Sequence, residues 1–284
     1  MRTEVAPTVI FTDLDGTLLS HLTYAAEGAA PVVKRLQADG VPVVFCSSKT
    51  IAEQLPIRRA LGVTAHPFIV ENGSAIVAPG NSGLAGADWE KSDQVKGARE
   101  KVLGLRLPEI LAKLERVRRQ TGEELRGYQQ MSVSEIAATT GLDEAGAARA
   151  QDRGFSETIV DQLSEERWQT IFAAFAEEGL ECSHGGRFHT LTGAGAHKGR
   201  AVELMRQRYI AAYGRQVRTI GLGDSANDAA MLAAVDVAFL IARPDGSWAK
   251  IDVPDIRRVN GIGPEGWAEA MEDWSASVSK PAGH

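Results

Sequence analysis

The sequence predicts an α/β protein, a parallel-sheet core interrupted by an inserted α+β cap domain. Three observations lead there. Short apolar runs at residues 8–11, 42–46 and 68–70 alternate with helix-patterned segments, the rhythm of strands buried on both faces of a doubly wound sheet. That rhythm stops at a Gly-, Ala-, Ser- and Asn-rich stretch, residues 79–88, and resumes at Lys198. Between the two breaks lie helices and hairpin-like strands of a different character. The expected division is residues 1–83 for the first part of the core, 84–192 for the cap and 193–284 for the second part of the core.

Taken in order, Thr8-Val9-Ile10-Phe11 is a buried strand that ends abruptly at Asp13-Leu14-Asp15-Gly16. Residues 29–38 carry Val32, Val33 and Leu36 at helical spacing and close on Asp39-Gly40. Residues 42–46 form the second strand, and 51–61 a second helix that Pro56 is expected to bend or to start late. The third strand, 68–70, ends in the turn Glu71-Asn72-Gly73. In the cap, 107–120 is a charged amphipathic helix, and 132–150 holds two short helices around Gly141, the first capped by Ser132 or Ser134. A strand at 155–160 and a helix at 164–178 follow, then strands 180–183 and 187–192 joined through Gly185-Gly186. The core returns with a helix at 198–213, a strand at 217–222, a helix at 225–234 and a strand at 235–241. Beyond Pro254 the chain is Gly-rich and polar, and its final residues are expected to be disordered.

The 284 residues suffice for two domains sharing one site. A formal net charge of −6 and a pI near 5.6 argue against a nucleic-acid binder, which would carry a basic face. Two cysteines, Cys46 and Cys182, allow neither a disulfide framework nor a CxxC metal site and suit a reducing compartment. No signal-peptide pattern opens the sequence and no run of about 18 apolar residues occurs. The expected setting is therefore cytoplasmic, without membrane or nucleic-acid partners; a homodimer is compatible with the sequence.

The chemistry gathers where strands end, the place where ligands bind in open α/β sheets. Asp13-Leu14-Asp15-Gly16-Thr17 puts two carboxylates side by side, tolerable when a cation is bound or one carboxyl keeps a proton. Asp13 would attack phosphorus and hold a metal, while Asp15 would protonate the leaving oxygen and later activate water. Gly223-Asp224-Ser225-Ala226-Asn227-Asp228 is a second acidic strand end, whose Asp224 and Asp228 are hard oxygen ligands of the type Mg²⁺ prefers. Ser47, in Cys46-Ser47-Ser48-Lys49-Thr50, is placed to hydrogen-bond a phosphoryl oxygen. Lys198 opens a helix after Gly193-Ala194-Gly195-Ala196-His197 and would offset the charge of Asp13 and an incoming phosphate.

Together, Asp13-x-Asp15-Gly-Thr, the Ser47 strand end, Lys198 and Gly223-Asp224-x-x-Asn227-Asp228 resemble the four motifs of the haloacid-dehalogenase superfamily, in their usual order. The resemblance implies a Rossmann-like core, a cap of the larger C2 type and an aspartyl-phosphate on Asp13. It also implies Mg²⁺ held by Asp13, the backbone carbonyl of Asp15, and Asp224. An acid at Asp15 points to a phosphatase or phosphomutase rather than a dehalogenase or transport ATPase.

Substrate choice is expected in the cap and the loops facing it. Arg153, Ser156, Arg187 and His189 lie on cap segments; Ser48, Lys49, Thr50, Glu71, Asn72 and Asn227 lie on the core. Arginine forks suit carboxylate or phosphate, and Asn, Glu and Ser suit sugar hydroxyls. Arg187 and His189, two apart, are expected on one strand face. Ser47-Ser48-Lys49-Thr50, Glu71-Asn72-Gly73, Arg153-x-Phe155-Ser156-Glu157 and Gly186-Arg187-Phe188 through Lys198-Gly199 resemble the mannosyl-3-phosphoglycerate phosphatase family. That implies hydrolysis of a phosphorylated glycosylglycerate, mannosyl- or glucosyl-, in the making of a compatible solute. Thr158 stands where the pattern has proline, and His197 where it has aspartate. A broader sugar-phosphate phosphatase, a phosphomannomutase-like enzyme and a non-catalytic sugar-phosphate sensor are the alternatives.

Overall fold

The computed structural model describes residues 6–185 and 188–279. The first half of the core runs β1 (Thr8–Thr12), α1 (Ala30–Ala38), β2 (Val43–Phe45), α2 (Ile51–Leu61) and β3 (Phe68–Val70). A 3₁₀ turn, Glu71–Gly73, leads into β4 (Ala75–Ala78), then β5 (Glu90–Lys91) and β6 (Arg99–Val102). The cap elements are α3 (Leu107–Thr121), α4 (Val133–Thr140), α5 (Glu144–Gln151), β7 (Ser156–Ile159), α6 (Glu165–Glu177), β8 (Leu180–Gly185) and β9 (Phe188–Gly193). The core resumes with α7 (Lys198–Tyr213), β10 (Arg218–Gly223), α8 (Ala229–Ala233), β11 (Val237–Ala242), β12 (Arg257–Ile262) and α9 (Gly263–Ser279).

Five strands pair in the order β12-β11-β10-β1-β2, all parallel, so the first strand lies between elements from both ends of the chain. Cys46 bridges Ile69 in parallel, which carries β3 onto the β2 edge. Side chains alternate along β1: Ile10 joins an apolar cluster with α1 and α9, while Val9 and Phe11 join the opposite cluster with α7 and α8. Both faces are covered, which is why the strands read as unbroken apolar runs. From β3 the chain reverses into an antiparallel sheet, β3-β4-β6-β5. Residues 90–102, inside the segment expected to form the cap, thus pair with β4 beside the core.

The cap sheet is antiparallel, β7-β9-β8. Its Ile159 and Leu191 face pack on α3 and α6 around Ile110, Leu114, Trp168 and Phe175. Helices α4 and α5 close a smaller cluster with Tyr128, Met131, Ile136 and Ala147. Ser132 and Ser164 cap α4 and α6 through side chains that accept from Glu135 N and Arg167 N.

The late start considered for α2 is corrected: the helix begins at Ile51, ahead of Pro56, because Thr50 and Glu53 form a capping box there, and Gly62 in the left-handed region ends it. Beyond Pro254, where the sequence marked no element, β12 adds an edge strand and α9 packs under the sheet. Trp267, Ala270, Met271 and Trp274 are its buried positions, spaced i, i+3, i+4, i+7; Gly and polar residues around them hid that stripe. The last expected disordered residues, 280–284, lie outside the described residues. Among the described residues no helix is long and apolar enough to cross a membrane.

Gly73 fixes how the two halves of the core meet. Its φ is +90°, and a Cβ there would fall 2.4 Å from the His197 carbonyl carbon and 2.6 Å from Lys198 N. Replacing Gly73 by Ala is expected to destabilise the fold by about 2–4 kcal/mol, from a left-handed backbone and an overpacked contact. Urea unfolding checks it; a midpoint unchanged from the parent would show that the helix start can move aside freely.

Candidate active site

Each acidic motif leaves the carboxyl end of a central strand. Asp13 follows β1, its N–H bonded to Leu222 O on β10 at 2.9 Å, and Asp224 follows β10 itself. Gly16, at φ +80°, turns the chain so closely past Asp224 that a Cβ would sit 2.7 Å from Asp224 Oδ2. Thr17 Oγ1 donates to Asp224 Oδ1 at 3.2 Å. Lys198, the first residue of α7, reaches between the motifs and donates to Asp13 Oδ1 and Asp228 Oδ1, both at 2.6 Å. Its Nζ lies on a side chain only 1% exposed. His197 caps α7, its Nδ1 accepting from Arg200 N at 3.2 Å, so it performs the capping that an aspartate would perform at this position.

Asp228 spends its second oxygen on the backbone of its own turn, accepting from Asp224 N and Ser225 N at 3.1 Å each. Asp13, Asp224 and Asp228 bring ligand oxygens within 4.8 Å of one another. One buried ammonium cannot neutralise three buried carboxylates. Burial and the neighbouring carboxylates hold Asp13 well above the usual carboxylate range in spite of Lys198. Burial and Asp228 push Asp224 up to about 7, against the pull of the Thr17 hydroxyl and Lys198. Burial depresses the Lys198 ammonium, but Asp13 and Asp228 outweigh it and hold the proton above the ordinary lysine range. The excess negative charge and the hard oxygen donors fit a divalent cation.

Asp15 stands at the mouth of this cluster, 3.0 Å from Lys49 Nζ, which also lies 3.5 Å from Glu53. Asp15 Oδ1 is buried without a hydrogen-bond partner, and burial raises the carboxyl above its usual range while Lys49 draws it back. Ser47 is fully buried at the end of β2; its Oγ accepts from Lys49 N at 3.2 Å, which leaves its proton to donate. Asn227 Nδ2 donates to Asn72 Oδ1 at 3.3 Å, joining the loop after β10 to the turn after β3.

A profile of haloacid dehalogenase-like hydrolases matches residues 10–244, spanning all of these motifs. The chain belongs to the haloacid dehalogenase-like hydrolases. Two relatives match it almost end to end. The glucosyl-3-phosphoglycerate/mannosyl-3-phosphoglycerate phosphatase of Persephonella marina is 36% identical over 264 residues, 93% of this chain and 95% of the relative. The protein of the same description from Methanococcoides burtonii is 35% identical over 268 residues, covering 93% and 96%. Among solved structures, a phosphatase of this superfamily from Bacteroides thetaiotaomicron superposes with a TM-score of 0.67 at 17% identity, covering 97% of each chain. A HAD subclass IIB sugar phosphatase gives 0.62 at 15% identity, covering 94% of this chain and 99% of its own. At such identities the likeness establishes the fold.

In this hydrolase the sugar-facing candidates fall into three groups. Glu71 forms a seam between core and cap: its carboxylate accepts from Gly154 N at 2.9 Å, Phe155 N at 3.0 Å and Ser156 Oγ at 2.5 Å. Arg153 lies 3.9 Å from Glu71 and donates to Ser156 Oγ at 2.7 Å, so Arg153, Ser156 and Glu71 are one buried group. Thr50 adds to the seam by donating to Arg149 O at 2.8 Å, while its oxygen caps α2. Asn72, Asn227, Lys49 and partly buried Ser48 lie with the strand ends that carry the acidic cluster. His189 is placed apart from both, on the helix-facing side of β9, with its ring stacked 3.8 Å from Trp168. The residues opposite are Thr190 and Thr192, which pair with Thr158 and Ser156 on the core-facing side. Arg187 lies outside the described residues.

Reading the sequence did not single out Thr12 or Trp267. Trp267 Nε1 donates to Thr12 Oγ1 at 2.9 Å, and that hydroxyl donates to Asp13 O at 2.7 Å, a buried chain behind the backbone of Asp13. The i, i+3, i+4, i+7 spacing from Trp267 to Trp274 was the available signal.

Glu71→Gln is expected to loosen the seam, because an amide turns a donor toward groups that need an acceptor. Hydrogen exchange at the Gly154 and Phe155 amides should accelerate at least tenfold; unchanged exchange would mean that other contacts hold the cap. The raised carboxyls also fix a pH dependence. Between the ordinary carboxylate range and about 7 the folded state binds more protons than the unfolded one, so cation-free stability should fall as pH rises through that window. A divalent cation displaces those protons, and its affinity should tighten over the same window. Melting curves from pH 5 to 8 with and without magnesium test this; a cation effect independent of pH would refute it.

Proposed function

We propose that this hydrolase is a Mg²⁺-dependent phosphatase acting on mannosyl-3-phosphoglycerate and its glucosyl analogue, with Asp13 as nucleophile. The observation that carries the chemistry is Lys198, buried between Asp13 and Asp228 with Asp224 alongside. The substrate class is supported by relatives of that description at 35–36% identity over 93% of the chain. Free Cys46 and Cys182 support a cytoplasmic setting.

Asp13 attacks phosphorus with one carboxylate oxygen while Lys198 holds the other, so the aspartyl-phosphate forms on a fixed side chain. The ester oxygen of the glycerate leaves with its bonding electrons and takes the proton of Asp15. Burial keeps that proton on Asp15 to a higher pH than on a free aspartate, as an acid catalyst near neutrality requires. Asp15, now ionised, then removes a proton from the water that attacks the aspartyl-phosphate; phosphate leaves and Asp13 is regenerated. The Ser47 hydroxyl donates to a phosphoryl oxygen throughout. Asp13, the Asp15 carbonyl and Asp224 would hold Mg²⁺, which supplies positive charge to the transferring phosphoryl group when bound. Asp228, with both oxygens taken by donors, orients Lys198 and the loop around Asp224. Arg187, with Arg153, is assigned the glycerate carboxylate, and Asn72 with the neighbouring polar groups the sugar.

The test is phosphate release with magnesium from mannosyl- and glucosyl-3-phosphoglycerate, simple hexose phosphates and an aryl phosphate. The glycosylated phosphoglycerates should exceed hexose phosphates at least tenfold in kcat/KM, and Asp13→Asn should lose at least 10³-fold on all of them. Arg187→Ala should raise KM for the phosphoglycerate esters far more than for the aryl phosphate. Equal turnover of every ester would leave a broad phosphatase, and an active Asp13→Asn would remove the nucleophile.

A further inference from the structure

At the end of the core sheet remote from the catalytic cluster lies a cavity of about 430 Å³. It opens between the last turns of α2, the start of β3 and the segments flanking β4 and β6. Arg58, Arg59 and Lys96 line it, with Thr64, Asn81 and the Phe68 ring, and no carboxylate is among its lining residues. Arg59 and Lys96 are exposed. Arg58 is only 2% exposed, a large side chain buried with its charge.

Arg58 has half of its bonding explained by the fold. Its Nη2 donates to Thr64 O at 3.2 Å and His66 O at 2.5 Å, tying down the loop after α2, and its guanidinium lies 4.0 Å over Phe68. Its Nη1 is buried with no hydrogen-bond partner. Among the described residues no carboxylate forms an ion pair with Arg58, Arg59 or Lys96. Among the described residues, the buried cations Lys198 and Arg153 each face a carboxylate, Asp13 and Glu71. A buried guanidinium without an anion is costly, and burial lowers the Arg58 pKa to about 9. Leu55, Phe68 and Val95 give the same cavity an apolar wall.

We propose that this cavity is a second binding site, for a small organic anion with a phosphate or carboxylate head on Arg58, Arg59 and Lys96 and a carbon body against Phe68 and Leu55. Three cations lining one cavity match the fork and point-charge recognition of such oxyanions. The site stands apart from phosphoryl transfer. Arg58 lies eight residues along α2 from Thr50, about 12 Å at the helical rise.

Isothermal titration of inorganic phosphate into the full chain with magnesium tests the proposal. Two classes of phosphate binding are expected: one abolished by a substrate-competitive inhibitor, and one that survives it. The exposed-residue variant Arg59→Ala/Lys96→Ala should weaken only the surviving class, at least tenfold, and leave kcat/KM for an aryl phosphate unchanged. Malonate in place of phosphate separates the two head groups, since binding at the surviving class then marks a carboxylate site. Arg58→Met removes the remaining fork; its melting temperature reports whether it folds, and the double variant stands if it does not. A single, fully competed class for both anions, or a second class indifferent to Arg59→Ala/Lys96→Ala, would overturn the proposal and leave Arg58 as a tether of the loop after α2.

Discussion

The site depends on one charge-neutralising contact, the ammonium of Lys198 held between Asp13 and Asp228. Three elements distant in sequence meet there: the end of β1, the start of α7 and the turn after β10. Without the ammonium, carboxylates brought within 4.8 Å of one another in a buried site would repel, and the strand ends could not converge. Much of the surrounding architecture serves that contact. Gly73 lets the turn after β3 press on the start of α7, His197 caps that helix, and Gly16 lets the first acidic turn pass Asp224. The paired charges are therefore also a statement about backbone geometry, since each needs a position that only a particular turn supplies.

A second group of interactions joins the cap to this core. Glu71 is fully buried and collects two backbone amides and one hydroxyl from the opposite domain. It does so from a backbone with φ of +49°, followed by Asn72 at +60°. Two consecutive left-handed residues that are not glycine carry strain, which the seam and the Asn72–Asn227 bond offset. The turn after β3 thus faces two ways: Glu71 toward the cap, Asn72 toward the acidic loop.

The strand ends that carry the candidate site were legible in the sequence, and the reason is physical. Strands buried on both faces must be apolar throughout, so their ends stand out, and Asp13, Ser47, Lys198 and Asp224 stand at those ends or open the helices after them. The cap helices were equally visible, because Ser132, Ser164, Gly141 and the α3 stripe are local signals. What stayed hidden was set by tertiary contact. Nothing in Glu71 alone distinguishes a sugar ligand from a domain seam, and His189 shows its orientation only through the register of β7 against β9. Pro56 has a local meaning that two strong helix caps override. Residues 90–102 join the β4 edge by pairing that no short-range pattern announces.

The docking of α9 has a consequence in the order of synthesis. Thr12 and the Asp13 carbonyl are backed by Trp267, and β1 pairs with β10, so β1 is completed by residues made long after it. A growing chain carries Asp13 through the ribosome well before Trp267 and cannot seat it until more than 250 further residues have been joined. The Asp13 carboxylate is therefore set in place only after residues far downstream of it have been made, and a nascent chain lacks a finished site until α9 can dock.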